Sequence, residues 1–270
     1  MIFKTINFTD KYDDTYLEAY IHSHDDSLNI KGRKAIIVCP GGGYTGLSER
    51  EAEPIALKYF AAGLNAFVLR YSVREKAADF APIVQACLAI KYIRENCEEF
   101  NVDTAHVFIT GFSAGGHLAA AAGTMWYIPE VQNKIGAEDP RICRPDATVL
   151  CYPVISNSPC RHKGSMLVLN GYVDDDEGMN RFSVENYVNQ DTAPAFLWHT
   201  ANDTSVPVNN SLIYASKLSE YKIPFELHVY PKGPHGLALC NSETWVGNSA
   251  YKIPYVEGWI DLALKWIEER

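Results

Sequence analysis

The chain has 270 residues, of which 47% are hydrophobic and 21% charged, and its formal net charge is −9. These values are typical of an ordered globular protein, and the length fits one large domain, so we expect a single domain over residues 1–270. The acidic balance, without clusters of lysine and arginine, excludes nucleic acid as a partner.

Two further features bear on the cellular compartment. The N-terminus does not combine a basic start with an unbroken apolar stretch, and no later segment is long and apolar enough to cross a bilayer. The seven cysteines are scattered through apolar contexts without a C-x-x-C pair, which indicates buried thiols rather than disulfides or a zinc site. We therefore expect a cytoplasmic protein without a membrane partner, a metal or an organic cofactor.

Strands and helices alternate along most of the chain. Up to about residue 30, alternating apolar and polar residues between turn signals indicate short antiparallel strands. Beyond that point, continuous apolar runs predict strands buried on both faces, and longer periodic runs predict helices. The predicted strands cover residues 35–39, 66–69, 107–110, 147–152, 195–199 and 225–230, and the predicted helices cover 51–62, 83–100, 209–221 and 256–269. This order predicts an α/β fold with a mostly parallel central sheet and helices on both faces.

Residues 156–191 interrupt this alternation with Pro159, glycines and the acidic run Asp174–Glu177. Long irregular segments inside compact domains are usually functional, so we interpret this one as a small irregular lid insertion, with a disordered surface excursion as the alternative. The acidic run lacks the ligand spacing of an EF-hand loop. It is therefore interpreted as part of a solvated lid and not as a calcium site.

The most specific motif is G-x-S-x-G at Gly111–Gly115, between an apolar strand and a helix of small residues. This context is what a nucleophile elbow requires, because the turn must be tight enough to hold Ser113 in a strained conformation above the sheet. Gly111 and Gly115 provide the necessary room. We therefore predict that Ser113 is the nucleophile of a serine hydrolase.

A serine hydroxyl needs a histidine to accept its proton and a carboxylate to orient that histidine. Asp203 follows the predicted strand 195–199, and His235 follows the predicted strand 225–230. Both positions lie at the carboxyl edge of the sheet, where open parallel sheets bind their ligands. The chain order Ser113, Asp203, His235 is that of the α/β-hydrolases.

The glycines after the strand 35–39 are candidates for an oxyanion hole. Gly42 and Gly43 carry backbone N–H groups without hindering side chains, and the N–H of Ala114 follows the nucleophile. The alternatives are a plain glycine turn and a phosphate loop, but a phosphate loop requires a Lys and a Ser or Thr after its glycines, and this segment lacks that order.

Four side chains near the predicted site need separate interpretations. Tyr44 adjoins the glycine loop and Tyr71 follows a strand at the same edge, so we predict that both contact the substrate. His117 lies inside the elbow helix and His199 at the end of an apolar strand. We interpret these two histidines as packing groups, or as groups that support the catalytic residues, and not as catalytic bases.

The motifs Pro40–Tyr44, Gly111–His117, Phe196–Pro207 and Tyr230–Gly236 resemble those of α/β-hydrolase esterases related to acetylxylan esterases and to the feruloyl-esterase-like branch. The resemblance runs from about residue 35 to the C-terminus. It implies an esterase that removes small acyl groups, acetyl in particular, from carbohydrates, with the triad and oxyanion residues given above. Pro40 stands where the hormone-sensitive-lipase branch carries histidine, which argues against a lipase.

Two other functions remain compatible with these motifs. An amidase or peptidase of the same fold, such as a kynurenine-formamidase-like enzyme, would use the same triad, because only the pocket distinguishes amides from esters. A non-catalytic ligand-binding protein on a hydrolase scaffold is the alternative from another class. The presence of Ser113, Asp203 and His235 together favours an enzyme.

Overall fold

The computed structural model describes residues 1–24 and 26–270. In this part of the chain, eight strands form one sheet, and ten α-helices accompany it. The strands are β1 Ile2–Ile6, β2 Tyr16–Ile21, β3 Arg33–Cys39, β4 Asn65–Arg70, β5 Val102–Phe112, β6 Thr148–Cys151, β7 Ala195–Thr200 and β8 Phe225–Tyr230. The helices are α1 Glu53–Ala61, α2 Ala81–Glu95, α3 Cys97–Phe100, α4 Ala114–Thr124, α5 Pro129–Ile135, α6 Lys163–Leu169, α7 Asp176–Asn180, α8 Asn209–Glu220, α9 Pro254–Glu257 and α10 Trp259–Glu268.

The strand order in the sheet is β1-β2-β4-β3-β5-β6-β7-β8. The first two strands pair antiparallel with each other, and β2 pairs antiparallel with β4. All other neighbouring strands are parallel. The prediction of N-terminal antiparallel strands leading into a mostly parallel sheet is therefore confirmed.

The parallel strands are buried because helices cover both faces of the sheet. In β3, Ile37 packs into a core that includes apolar side chains of α2, α4 and α8. Its neighbours Ile36 and Val38 pack into a second core with side chains of α1 and α10. This arrangement explains the unbroken apolar runs in the sequence, since every residue of such a strand faces a helix layer.

Most predicted helices have the observed position, with small differences at their ends. The segment predicted as one helix over 83–100 forms α2 and the short α3, which meet at Asn96. The predicted helix 256–269 likewise divides into α9 and α10 at Gly258. Within the described residues, no helix combines the length and the apolar composition needed to cross a membrane.

The segment 156–191 is more regular than the sequence predicts. It contains α6, α7 and a turn of 3-10 helix at Val184–Tyr187. Side chains such as Met166, Met179 and Phe182 are buried in the same core as α4. The helices were missed because elements of five to seven residues are too short to show a helical period. The function of the segment as a lid stays a prediction.

The acidic run in this segment has local partners. Asp174 pairs with Lys163 at 2.7 Å, and Asp176 pairs with Arg161 at 2.7 Å. Asp175 caps α7 by accepting a hydrogen bond from the N–H of Gly178 at 2.6 Å. All three carboxylates therefore have partners within the segment itself.

Candidate active site

Ser113 lies in a sharp turn between β5 and α4. Its φ of 55° is in the left-handed region, which is strained for a residue with a side chain. A Cβ added to Gly111 would lie 1.9 Å from the carbonyl oxygen of Gly115, and one added to Gly115 would lie 2.1 Å from the carbonyl oxygen of Cys39. Only glycine fits at either position, so both glycines of the motif serve the tightness of the turn.

The structure brings Ser113, His235 and Asp203 together in a hydrogen-bonded chain. The Nε2 atom of His235 lies 2.7 Å from Ser113 Oγ, and its Nδ1 atom lies 2.6 Å from Asp203 Oδ2. Asp203 and His235 reach this position from the turns after β7 and β8, as their sequence positions indicate. A chain of this kind can move a proton from the serine hydroxyl to the imidazole.

The environment of Asp203 keeps its carboxylate ionised. Burial disfavours the charged form and raises the pKa of Asp203. Hydrogen bonds from His199 and His235 outweigh this effect of burial and hold the pKa of Asp203 well below its usual range. The other carboxylate oxygen, Oδ1, accepts the backbone N–H groups of Ser205 and Val206 at 2.9 Å each. Asp203 is therefore fixed in orientation and negatively charged beside His235.

The glycine loop after β3 lies beside the elbow. Gly42 and Gly43 have φ values of 138° and 64°, which side-chain-bearing residues rarely adopt. The carbonyl oxygen of Gly42 accepts the N–H of Thr45 at 3.0 Å and closes the turn. Over residues 1–24 and 26–270, no protein acceptor pairs with the N–H of Gly42, Gly43 or Ala114. These three groups remain available to a substrate oxygen.

A buried carboxyl group, Glu51, connects the glycine loop to the histidine loop. Its Oε2 accepts the N–H of Gly41 at 2.9 Å, and its Oε1 accepts the hydroxyl of Tyr152 at 2.7 Å. The same hydroxyl accepts the N–H of Ala238 at 2.9 Å, and the Tyr152 ring packs edge-on against the imidazole of His235 with 5.1 Å between centroids. Sequence reasoning missed Glu51, because an acidic residue near a helix N-terminus is common and carries no specific signal.

The prediction that Tyr44 and Tyr71 contact the substrate is wrong in this structure. Both side chains are buried, and both hydroxyl groups are used inside the protein. Tyr44 pairs with Nδ1 of His117 at 2.8 Å, and Tyr71 donates to the carbonyl oxygen of Pro40 at 2.5 Å. The φ of 61° at Tyr44 helps to explain the error, because a left-handed residue points its side chain in a direction that an extended loop would not. Both tyrosines therefore hold the glycine loop to the core, Tyr44 through its own buried ring and Tyr71 through its hydrogen bond to Pro40.

The interpretation of His117 and His199 as packing or supporting groups, and not as catalytic bases, is confirmed. His117 is fully buried and pairs through Nε2 with the carbonyl oxygen of Phe182 at 2.7 Å, and burial lowers its pKa to about 4. His199 is also fully buried and pairs through Nε2 with the carbonyl oxygen of Val206 at 2.8 Å. Neither ring has a hydrogen bond to Ser113 within the described residues.

His162 is a second residue that sequence reasoning missed. It precedes α6, caps that helix, and lies beside Gly43 of the glycine loop. The spacing His162-x-x-Ser165 at the start of a helix is a weak signal for a cap and gives no indication of the distant loop that the ring adjoins.

Comparison with known proteins places this site in a family. The BD-FAE family model matches residues 24–218, a range that includes Ser113 and Asp203. The chain belongs to the BD-FAE family. This match confirms the predicted resemblance to α/β-hydrolase esterases, which are carboxylic ester hydrolases.

Individual relatives agree with the family. The chain is 36% identical over 234 residues to endo-1,4-beta-xylanase B of Butyrivibrio fibrisolvens, which covers 86% of this chain and 36% of that protein. It is 31% identical over 218 residues to an acetylxylan esterase of Xylanibacter ruminicola, with 78% and 42% covered. The chain thus spans less than half the length of these two relatives.

Among solved structures, the acetyl ester-xyloside bifunctional hydrolase of Caldicellulosiruptor lactoaceticus superposes with a TM-score of 0.83 at 37% identity. The superposition covers 98% of this chain and 96% of that chain. The likeness therefore extends beyond residues 24–218, the range of the family model.

Proposed function

We propose that the chain is a serine carboxylesterase that removes short acyl groups, acetyl above all, from carbohydrates or similar small esters through an acyl-enzyme. The observation that carries this proposal is the hydrogen-bonded chain from Ser113 Oγ through His235 to Asp203, at 2.7 and 2.6 Å. This is the arrangement that makes a serine hydroxyl nucleophilic at neutral pH.

The first half of the reaction transfers the acyl group to Ser113. Neutral His235 takes the hydroxyl proton through Nε2 as Oγ attacks the ester carbonyl, and Asp203 stabilises the imidazolium that forms. His235 then gives this proton to the alcohol oxygen as the bond between that oxygen and the acyl carbon breaks. The alcohol leaves, and the acyl group remains on Oγ.

The second half hydrolyses the acyl-enzyme. His235 accepts a proton from water while the water oxygen attacks the acyl carbon, and it returns that proton to Oγ as the carboxylic acid leaves. In both halves, negative charge develops on the former carbonyl oxygen. The unpaired N–H groups of Gly42, Gly43 and Ala114 are positioned by the fold before the substrate arrives, so we assign them to this oxygen.

Two observations support short acyl groups on carbohydrate. One relative is named as an acetylxylan esterase, and a structural relative as an acetyl ester-xyloside hydrolase. In addition, Met166, Met179 and Phe182 of the segment 156–191 are buried in the core, so these side chains do not form an open apolar channel for a fatty chain.

The test combines labelling with kinetics. A fluorophosphonate should label the wild-type protein on Ser113, as located by a peptide map, and Ser113→Ala should neither be labelled nor hydrolyse p-nitrophenyl acetate at more than about a thousandth of the wild-type rate. A variant that retains a tenth of that rate would place the chemistry elsewhere. An unlabelled wild-type Ser113 in folded protein would favour a binding module, and faster turnover of p-nitroacetanilide than of the ester would favour an amidase.

A further inference from the structure

The mechanism above leaves one polar side chain beside the reacting groups without a function. The ring of His162 is half-buried, and a Cβ built on Gly43 would lie 3.6 Å from its Cε1 atom. This contact places the ring directly next to the loop that we assign to the oxyanion. It is separate in sequence from that loop and from all three triad residues.

The hydrogen bonds of His162 define which ring nitrogen carries the proton. Nδ1 accepts the backbone N–H of Ser165 at 3.3 Å and pairs with the hydroxyl of Ser165 at 2.8 Å. A nitrogen that accepts from a backbone N–H has a lone pair and no proton, so the proton of the neutral ring is on Nε2. In the described part of the chain, Nε2 has no protein partner.

Electrostatics indicate that the ring belongs to the same site. Burial lowers the pKa of His162, the nearby charge of His235 lowers it further, and Asp203 opposes both. The ring is therefore close enough to the triad to respond to the charge of two of its members. It is a neutral N–H donor at neutral pH, where the proposed base must also be neutral.

We propose that His162 is a substrate-binding residue whose Nε2–H donates a hydrogen bond to an oxygen on the alcohol side of the ester, and so favours esters of polyhydroxylated alcohols such as sugars. The inference rests on the proposed esterase function. A sugar ester carries hydroxyl, ring or neighbouring ester oxygens close to the scissile bond. A simple aryl ester has no such additional oxygen close to the scissile bond on its alcohol side. Gly43 contributes by leaving the space between ring and loop open, since a larger side chain would occupy it.

The matched variants are His162→Asn and Ser165→Ala. Asparagine retains a side-chain acceptor at the start of α6, where it is among the best capping residues, but it lacks the ring N–H. Ser165→Ala keeps the ring and the backbone N–H that orients it, and removes only the hydroxyl contact. Thermal unfolding of both variants reports any loss of the helix cap.

The assay compares an acetylated methyl xyloside with p-nitrophenyl acetate. For His162→Asn we expect kcat/KM for the xyloside to fall about tenfold, mainly through KM, and the ratio of xyloside to aryl ester activity to fall at least fivefold. Ser165→Ala should reduce this ratio less than twofold.

If the wild type hydrolyses both esters, and His162→Asn lowers kcat/KM equally for both or leaves their ratio unchanged, the role of His162 is overturned. The proposed esterase function then remains intact. A wild type that hydrolyses p-nitrophenyl acetate but not the xyloside would also overturn it. A wild type that hydrolyses neither would overturn the proposed function, and the inference with it.

Discussion

Removing the hydroxyl of Tyr152 while keeping its ring should both destabilise the fold and slow ester hydrolysis. This hydroxyl donates to the carboxyl group of Glu51 at 2.7 Å and accepts the N–H of Ala238 at 2.9 Å. All three residues are buried. Tyr152→Phe therefore leaves one buried backbone donor and one buried carboxyl oxygen without a partner, in a place where the missing atom opens little room for water.

The magnitude follows from these two losses. An orphaned buried donor costs about 1–3 kcal/mol, and a hydrogen bond to a charged group contributes about 1.5–3 kcal/mol. Because both losses come from one hydroxyl, they overlap, and we expect the free energy of unfolding to fall by about 3 kcal/mol. Ala238 lies on the same loop as His235, so a displaced loop should also lower kcat/KM for p-nitrophenyl acetate by about tenfold.

Urea unfolding and steady-state kinetics measure the two effects, and Tyr214→Phe is the matched control. Tyr214 is also fully buried, but its hydroxyl has no protein partner in the described part of the chain. Its removal should leave the stability unchanged or raise it, because it takes away a buried hydroxyl that has no hydrogen-bond partner. If Tyr152→Phe unfolds at the same urea concentration as Tyr214→Phe and retains its kcat/KM, the hydroxyl does not tie the two loops together and the reasoning fails.

Three other predictions concern the elbow, the triad carboxylate and the acyl group. Gly115→Ala should prevent folding or remove more than about 4 kcal/mol of stability in urea unfolding, because its Cβ would meet the backbone of Cys39. The control is Gly258→Ala, which should be neutral or stabilising because this position has open space around it and a helical φ of −68°. Because the pKa of Asp203 is lowered in the folded state, its ionised form stabilises the fold fully above the unfolded-state pKa of about 3.9, and this contribution is lost as pH falls through the folded-state pKa. The free energies of unfolding of wild type and Asp203→Asn, measured against pH, should therefore converge at low pH. A constant difference between the two curves would contradict the lowered pKa of Asp203. Across p-nitrophenyl esters, kcat/KM should fall from acetate to octanoate, whereas a pocket that buries the chain would add about 0.8 kcal/mol per methylene and make the series rise.

The features that the sequence predicts well are those with local requirements. The elbow needs a strand, two glycines and a helix within a few residues, and all of these are visible around Ser113 in the printed sequence. Asp203 and His235 could be placed because each follows a buried strand, and the ends of parallel strands meet at one edge of the sheet. The alternation of strands and helices also gave the correct sheet, since its strands are buried on both faces.

The features that the sequence does not predict depend on contacts between distant segments or on side-chain direction. Glu51 lies 101 residues from Tyr152, and no periodic pattern connects the two. Tyr44 is next to the glycine loop, as its position indicates, yet its left-handed backbone turns the ring into the core. His162 reaches Gly43 only because α6 packs near the loop, which a segment without a helical period does not reveal.

The strained backbone of Ser113 shows how the sheet itself maintains the site. A left-handed residue with a side chain costs of order 1–3 kcal/mol and persists only where its surroundings require it. Here the N–H of Ser113 donates to the carbonyl oxygen of Cys151 on β6, while its carbonyl oxygen accepts the N–H groups of His117 and Val154, all at 3.0 Å. Relaxing φ at Ser113 would therefore break hydrogen bonds to the neighbouring strand, to the elbow helix and to the segment after β6. Because these bonds exist without a substrate, the hydroxyl is already aligned with His235 in the free protein, and binding need not supply the energy to orient it.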